Sequence, residues 1–134
     1  MAFVHGKTTV ITVATKDISP YTKTSSLEIK ADVHDTTGYG STAHTKAPGL
    51  LDSTFTCGGT YDTTASVGPR NALLALVGTT VTITRKPEGT GTTKPLDTYS
   101  GVFTKYVETN PVDDMVTWSA DFEGTGPVVT TAQP

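Results

Sequence analysis

The sequence predicts a mainly β chain: a β-sandwich or barrel with one flanking α-helix and a long loop, in a single domain spanning 1–134. Three observations lead there. Several segments alternate apolar and polar residues with period two, the pattern of strands that lay one face on a core. Threonine makes up about a fifth of the chain, and β-branched residues fit a pleated surface better than a helix. Only one segment combines a helix start, a helix stop and a shared apolar face. At 134 residues the chain has room for one domain with a real core, and not for two ordinary ones.

The elements follow in order. Lys7 to Thr15, KTTVITVAT, reads as a first strand with apolar groups on both faces at VITV. Asp17 to Tyr21, DISPY, is a turn-rich link containing Pro20. The clearest strand is Ser26 to His34. It places Leu27, Ile29, Ala31 and Val33 on one face and Ser26, Glu28, Lys30, Asp32 and His34 on the other. Such alternation means one face on a core and the other towards solvent or a channel. Residues 35–50, DTTGYGSTAHTKAPGL, hold almost nothing apolar until their end. A structureless connection this long in a compact domain either works or is disordered, so 35–50 is expected to be an extended functional loop.

Leu51 to Asp62 alternates again, with Leu51, Phe55, Cys57 and Tyr61 against Asp52, Thr54, Thr56 and Thr60. Gly58-Gly59 marks a bulge or a close backbone approach. The helix is placed at 66–78, SVGPRNALLALVG. Ser66 or Gly68 caps it, Pro69 suits its first turn, and Gly78 takes the left-handed position that ends it. Leu73, Leu76 and Val77 share its apolar face, enough to cover an open end of a sandwich. Thr79 to Arg85 is a strand burying Val81 and Ile83, and Lys86 to Pro95 a flexible polar connection. Tyr99 to Thr109 is a strand that shifts phase at Gly101, and Asn110-Pro111 turns the chain. The last strand sets Val116, Trp118, Ala120 and Phe122 against Thr117, Ser119, Asp121 and Glu123, and 124–134 forms a C-terminal arm. The expected core is therefore Leu27, Ile29, Val33, Phe55, Leu73, Leu76, Val116, Trp118 and Phe122.

Catalytic signatures are missing. His5, His34 and His44 lie far apart, none at zinc-ligand spacing from another or from the single Cys57, so no metal is expected. His34, beside Asp32 and Asp35, is a candidate ligand whose simpler reading is an exposed strand end. Gly89 to Lys94 lacks the G-x-x-x-x-G-K-[ST] of a phosphate loop, with Pro95 where the hydroxyl residue belongs. There is no G-x-S-x-G elbow. Asp113-Asp114 follows Pro111 at a strand entry, where a polar turn explains it. Cys57 reads as a packing residue and Trp118 as a core anchor. Neither enzyme activity nor a cofactor is expected.

The net charge of −3 is unevenly spread. Ten basic and eight acidic residues lie up to Lys105; beyond it come only Glu108, Asp113, Asp114, Asp121 and Glu123. No basic stripe marks a DNA-gripping surface. No apolar stretch approaches membrane-span length, and the start, MAFVHGKTTVITV, has no secretory pattern, so no membrane partner is expected. A single cysteine suits a reducing cytoplasm.

Three pieces together resemble the tail tube (major tail) proteins of long-tailed bacteriophages. They are Asp35 to Asp62 (DTTGYGSTAHTKAPGLLDSTFTCGGTYD), the capped helix GPRNALLALVG ahead of a strand, and Pro111 to Val128 (PVDDMVTWSADFEGTGPV). The pieces span most of the chain in the right order. The chain is short for that family, with little N-terminal arm in Met1 to Gly6. The resemblance implies a β-sandwich flanked by a helix, hexameric rings stacked into a tube, and a loop from each ring reaching the next. It implies a location in the virion tail, assembly in the host cytoplasm, and contacts with other tail proteins. On that reading 35–50 is the inter-ring loop, with Thr36, Thr37, Tyr39, His44 and Lys46 as its contact residues.

The polar strand faces then become candidates for the tube lumen: Glu28, Lys30, Asp32, Asp52, Thr54, Thr56, Thr117, Ser119, Asp121 and Glu123. Five carboxylates against one lysine make a negative wall that repels phosphate, so double-stranded DNA passes transiently and without sequence preference. Two alternatives stand beside this one. A capsid decoration or cement protein shares a related sandwich and would bind empty heads. An adhesion or carbohydrate-binding module needs grouped exposed aromatics, whereas Tyr21, Tyr39 and Tyr99 are scattered.

Overall fold

The computed structural model describes residues 4–62 and 68–134. Among these residues seven strands form one antiparallel sheet: β1 (Val10–Val13), β2 (Lys16–Asp17), β3 (Thr22–Asp35), β4 (Lys46–Thr60), β5 (Thr80–Lys86), β6 (Pro95–Thr109) and β7 (Thr117–Ala132). Their order across the sheet is β2-β1-β5-β6-β7-β4-β3. The short helix α1 (Pro69–Leu73) runs into a 3-10 turn at Leu74–Leu76. The sheet rolls over its own core. The indole N–H of Trp118, mid-sheet in β7, donates to the Tyr21 carbonyl at 3.1 Å, in the link between the edge strands β2 and β3. A mainly β chain with one flanking helix is therefore what the alternation and capping signals specify.

The core is an aromatic stack contributed by the centre of the sheet. Phe103 and Phe122, cross-strand partners in β6 and β7, lie with ring centroids 4.4 Å apart. Phe55 of β4 sits 5.9 Å from Phe122 and meets Tyr99 edge-on at 6.0 Å. Ile11 and Val13 of β1, Ile83 of β5 and Leu73 of α1 fill the remaining space. Offset and edge-on arrangements are those the ring quadrupoles favour.

Several expectations need correction. Ile29 (52% exposed) and Val33 (62%) are not core residues, nor does Leu51 (70%) lie against one. β4 pairs with β7 only over Thr54 to Thr60, so beyond that point β3 and β4 project as a two-stranded ribbon with no second layer among the described residues. Leu27, at the ribbon's root, and Leu76 pack at the margin of the core, and Val116 is half-buried. The loop 35–50 is not a structureless connection either. β3 runs to Asp35 and β4 starts at Lys46, so only 36–45 lies outside the strands. The C-terminal arm is strand too, because β7 continues along β6 as far as Ala132, opposite Pro95.

The first strand is shorter than expected because a two-residue turn follows Val13 directly. Ala14 (φ 49°) and Thr15 (φ 71°) both occupy the left-handed region that a tight β-hairpin of this hand requires. Neither is glycine or asparagine, so no turn signal shows in the sequence. At the helix, Gly68 occupies the N-cap position without a side-chain cap, Pro69 opens the first turn, and Gly78 is left-handed (φ 88°). Ser66 lies outside the described residues. The chain tightens to a 3-10 turn after Leu73, which rotates Val77 outwards and off the shared face. The phase shift in β6 falls at Thr104, not Gly101: Phe103 pairs with Phe122 and Lys105 with Asp121, leaving Thr104 extra.

The connection Lys86 to Pro95 is pinned largely through Gln133, with the Thr9 hydroxyl donating to the Pro87 carbonyl at 3.0 Å. Gln133 is buried; its Nε2 donates to the Gly89 carbonyl (2.8 Å) and its Oε1 accepts from the Gly91 N–H (3.1 Å). Backbone bonds from Thr93 N–H to the Gln133 carbonyl and from Gln133 N–H to the Lys94 carbonyl complete the seal.

Candidate functional site

Strand register brings the ten polar candidates onto a single face, opposite the aromatic core. Glu28 of β3, Thr54 of β4 and Glu123 of β7 form one cross-strand row, and Ser26, Thr56 and Asp121 the next. Lys30 pairs with Asp52 on the projecting ribbon, and Asp32 follows two residues on. Ser119 and Thr117 extend the face towards the other end of β7, beside Gly58 and Thr60. Every one of these ten side chains is exposed or half-buried. The alternation in β3, β4 and β7 thus describes one continuous surface, not three separate ones.

β6 extends that surface in a way the sequence hid. The extra residue at Thr104 reverses the phase of the strand, so Lys105, Val107 and Thr109 align with Asp121, Ser119 and Thr117. Lys105 Nζ stands 3.8 Å from the Asp121 carboxylate, and the Thr104 hydroxyl donates to the Asp121 carbonyl at 3.1 Å. The face therefore carries five carboxylates (Glu28, Asp32, Asp52, Asp121 and Glu123) against two lysines, Lys30 and Lys105. Strict period two read from Tyr99 would have placed Lys105 on the buried side; only a charged residue at an apolar position signals the slip.

On the far side of the ribbon, Ile29, Val33 and Leu51 are uncovered, and Leu50 is 81% exposed at the irregularity opposite Asp32. The ribbon's neck is clipped by its own side chains. Thr36 N–H donates to the Thr45 carbonyl (2.8 Å), and Thr45 N–H donates to the Thr37 hydroxyl (2.9 Å). Thr37 N–H donates to Asp35 Oδ1 (2.8 Å), and His44 Nδ1 lies 3.5 Å from the same carboxylate. The Thr37 hydroxyl and N–H, followed by His44, hold the exposed Asp35 carboxyl below its ordinary range. The structure thus gathers Thr36, Thr37, His44 and Lys46 at the neck and leaves Tyr39 apart, fully exposed at the tip.

Cys57, beneath the polar face, is buried, and desolvation followed by the charge of Asp121 pushes its thiol up to about 12. A protonated, enclosed thiol is neither nucleophile nor ligand at neutral pH. Asp113 and Asp114 sit in the β6–β7 turn, where Asp114 Oδ1 accepts the Met115 N–H at 2.7 Å.

No protein-family model matches the chain, and neither does any curated protein sequence. Solved structures do resemble it. A chain from the virion of a native gene transfer agent particle superposes with a TM-score of 0.76 at 12% identity, over 97% of this chain and 100% of that one. The SPP1 tail tube subunit superposes with a TM-score of 0.75 at 8% identity, over 98% of this chain and 80% of that one. A chain from the tail of an empty gene transfer agent particle, refined with C6 symmetry, gives 0.67 at 12% identity, over 84% and 83%. The fold is that of phage tail tube proteins.

Proposed function

We propose that this chain is a structural virion protein, the subunit of a tail tube, which assembles into stacked hexameric rings through which phage DNA passes. Its place is the virion tail. It is assembled in the host cytoplasm, alongside other tail proteins, and does no catalysis. The observation that carries the reading is the projecting β3–β4 ribbon. A two-stranded ribbon without a second layer is marginal in water. This one also leaves Ile29, Val33, Leu50 and Leu51 uncovered, an apolar patch of the kind that marks an interface. Among the described residues the outer edge of β3 pairs with nothing, which in a lone molecule invites aggregation. Neighbouring copies would answer both needs, and the fold's likeness to chains from tail and virion structures supports the reading.

In such a ring the polar face of β3, β4, β7 and β6 lines the channel, and Thr36, Thr37, Tyr39, His44 and Lys46 at the ribbon end meet the next ring. Each copy adds a net charge of −3 to the wall from the five carboxylates and two lysines. Like charge keeps the phosphate backbone from adhering, whereas a basic wall would hold it by counterion release. Negative-stain microscopy and sedimentation of the purified full chain test the proposal. Hollow tubes of uniform width are expected. A particle that stays monomeric at high concentration, or that instead coats empty heads, refutes it.

A further inference from the structure

The rolled sheet does not close, and between its two ends lies a cleft of about 580 Å³. Ile11 and Ser19 line one wall, Ser25 and Lys23 the other, with Lys7 and Arg85 adding positive charge. No carboxylate lines it among the described residues. Arg85 is committed on one side only: Nη1 donates to Asp97 at 2.9 Å, while its Nε is buried with no hydrogen-bond partner among the described residues. That Nε has no surface open to a docked group and the Arg85 charge already faces Asp97, so the positive charge a docked segment would meet is chiefly that of the exposed Lys7 and Lys23. With basic and hydroxyl side chains in its lining, the cleft suits a short acidic segment.

The same chain presents one. Between β6 and β7 the turn Val112-Asp113-Asp114-Met115 stands clear of the body, with Val112 106% and Met115 67% exposed. Its base is fixed by the bond from Tyr61 N–H to the Val116 carbonyl at 3.0 Å, so the turn is presented in a set place. The two carboxylates of this exposed turn complement the cationic cleft. The ribbon tip, 36–45, has no carboxylate to offer.

We propose that the Val112–Met115 turn of one copy docks in the Lys7–Lys23–Arg85 cleft of a second copy. The contact is head-to-tail, since the two surfaces differ, and repeating it builds a ring or filament. It rests on the self-assembly proposed above and adds a specific electrostatic lock to it.

The test uses the full chain. An equimolar mixture of Lys23→Cys and Asp114→Cys, treated with a short bis-maleimide, is expected to give a covalent dimer that neither variant gives alone. The reversals Asp113→Lys with Asp114→Lys, or Lys7→Glu with Lys23→Glu, should each raise the concentration needed for assembly about tenfold or more. Combining all four in one chain should restore it. Thermal unfolding of each variant checks that it is folded. Tubes that form without the cross-link, and with assembly unmoved by either reversal, overturn the contact and leave the tube reading standing. Cleft reversal that abolishes binding of a short DNA duplex but leaves assembly unchanged overturns it in favour of a phosphate site. A wild-type chain that never assembles overturns both.

Discussion

The indole nitrogen of Trp118 and the carbonyl oxygen of Tyr21, 97 residues apart in sequence, lie 3.1 Å apart and tie the middle of the sheet to the link between its two edge strands. Trp118 also stacks on Tyr106 with centroids at 6.3 Å. Trp118→Phe removes the donor, strands a carbonyl and leaves a void beside Tyr106. Thermal unfolding should register a loss of about 1–3 kcal/mol. An unchanged midpoint would mean that the roll is held elsewhere.

Glycine at 59 is required by close backbone approach. A Cβ there would overlap the Tyr21 carbonyl oxygen and come within 2.7 Å of the Lys23 nitrogen, both main chain and unable to swing aside. Gly59→Ala should therefore cost about 3 kcal/mol. Gly38→Ala, at a position with nothing within 4 Å, should stay within about 0.5 kcal/mol of wild type. Equal effects in chemical denaturation would contradict the assignment.

Gln133 is a buried polar plug near the end of the last strand. Replacing it with Ala leaves the Gly91 N–H and the Gly89 carbonyl without their partners, at a cost of about 2 kcal/mol. Limited proteolysis should then cut within Lys86 to Pro95 faster than in wild type. Identical cleavage rates would show that the backbone bonds of Thr93 and Lys94 suffice.

The neck of the ribbon should respond to acid. Asp35 has a folded pKa lowered from its ordinary 3.8, chiefly by the Thr37 hydroxyl and then by the Thr37 N–H. A lowered folded pKa means the clip stabilises the ribbon above the ordinary aspartate range and is lost as pH falls through the lowered value. NMR titration of the full chain should show the Thr37 amide shifting with Asp35, and Thr37→Val should move the Asp35 midpoint upwards. A midpoint unmoved by the substitution would assign the depression to another group.

What the sequence made legible was sidedness. Phe55, Trp118 and Phe122 follow from alternation alone, and so does the placing of Thr54, Asp121 and Glu123 on the opposite face. Alternation cannot say whether a second layer covers the apolar side, which is why Ile29 and Val33 read as core although they stay exposed among the described residues. Nor does it survive a slip: one extra residue at Thr104 moved Lys105 onto the polar face. Gln133 was illegible for a different reason, since a polar residue near the end of a chain carries no pattern, and its burial depends on a loop forty residues earlier in sequence. The Ala14-Thr15 turn was missed because neither residue carries the chemistry such turns usually need.

Helical reconstruction from electron cryomicroscopy of tubes grown from the full chain tests the central claim most directly. The account predicts Glu28, Thr54, Asp121 and Glu123 on the inner wall, with Ile29, Val33 and Leu51 covered by adjoining subunits. A tube whose bore is lined by other residues, with that polar face turned outwards or buried between subunits, would contradict it.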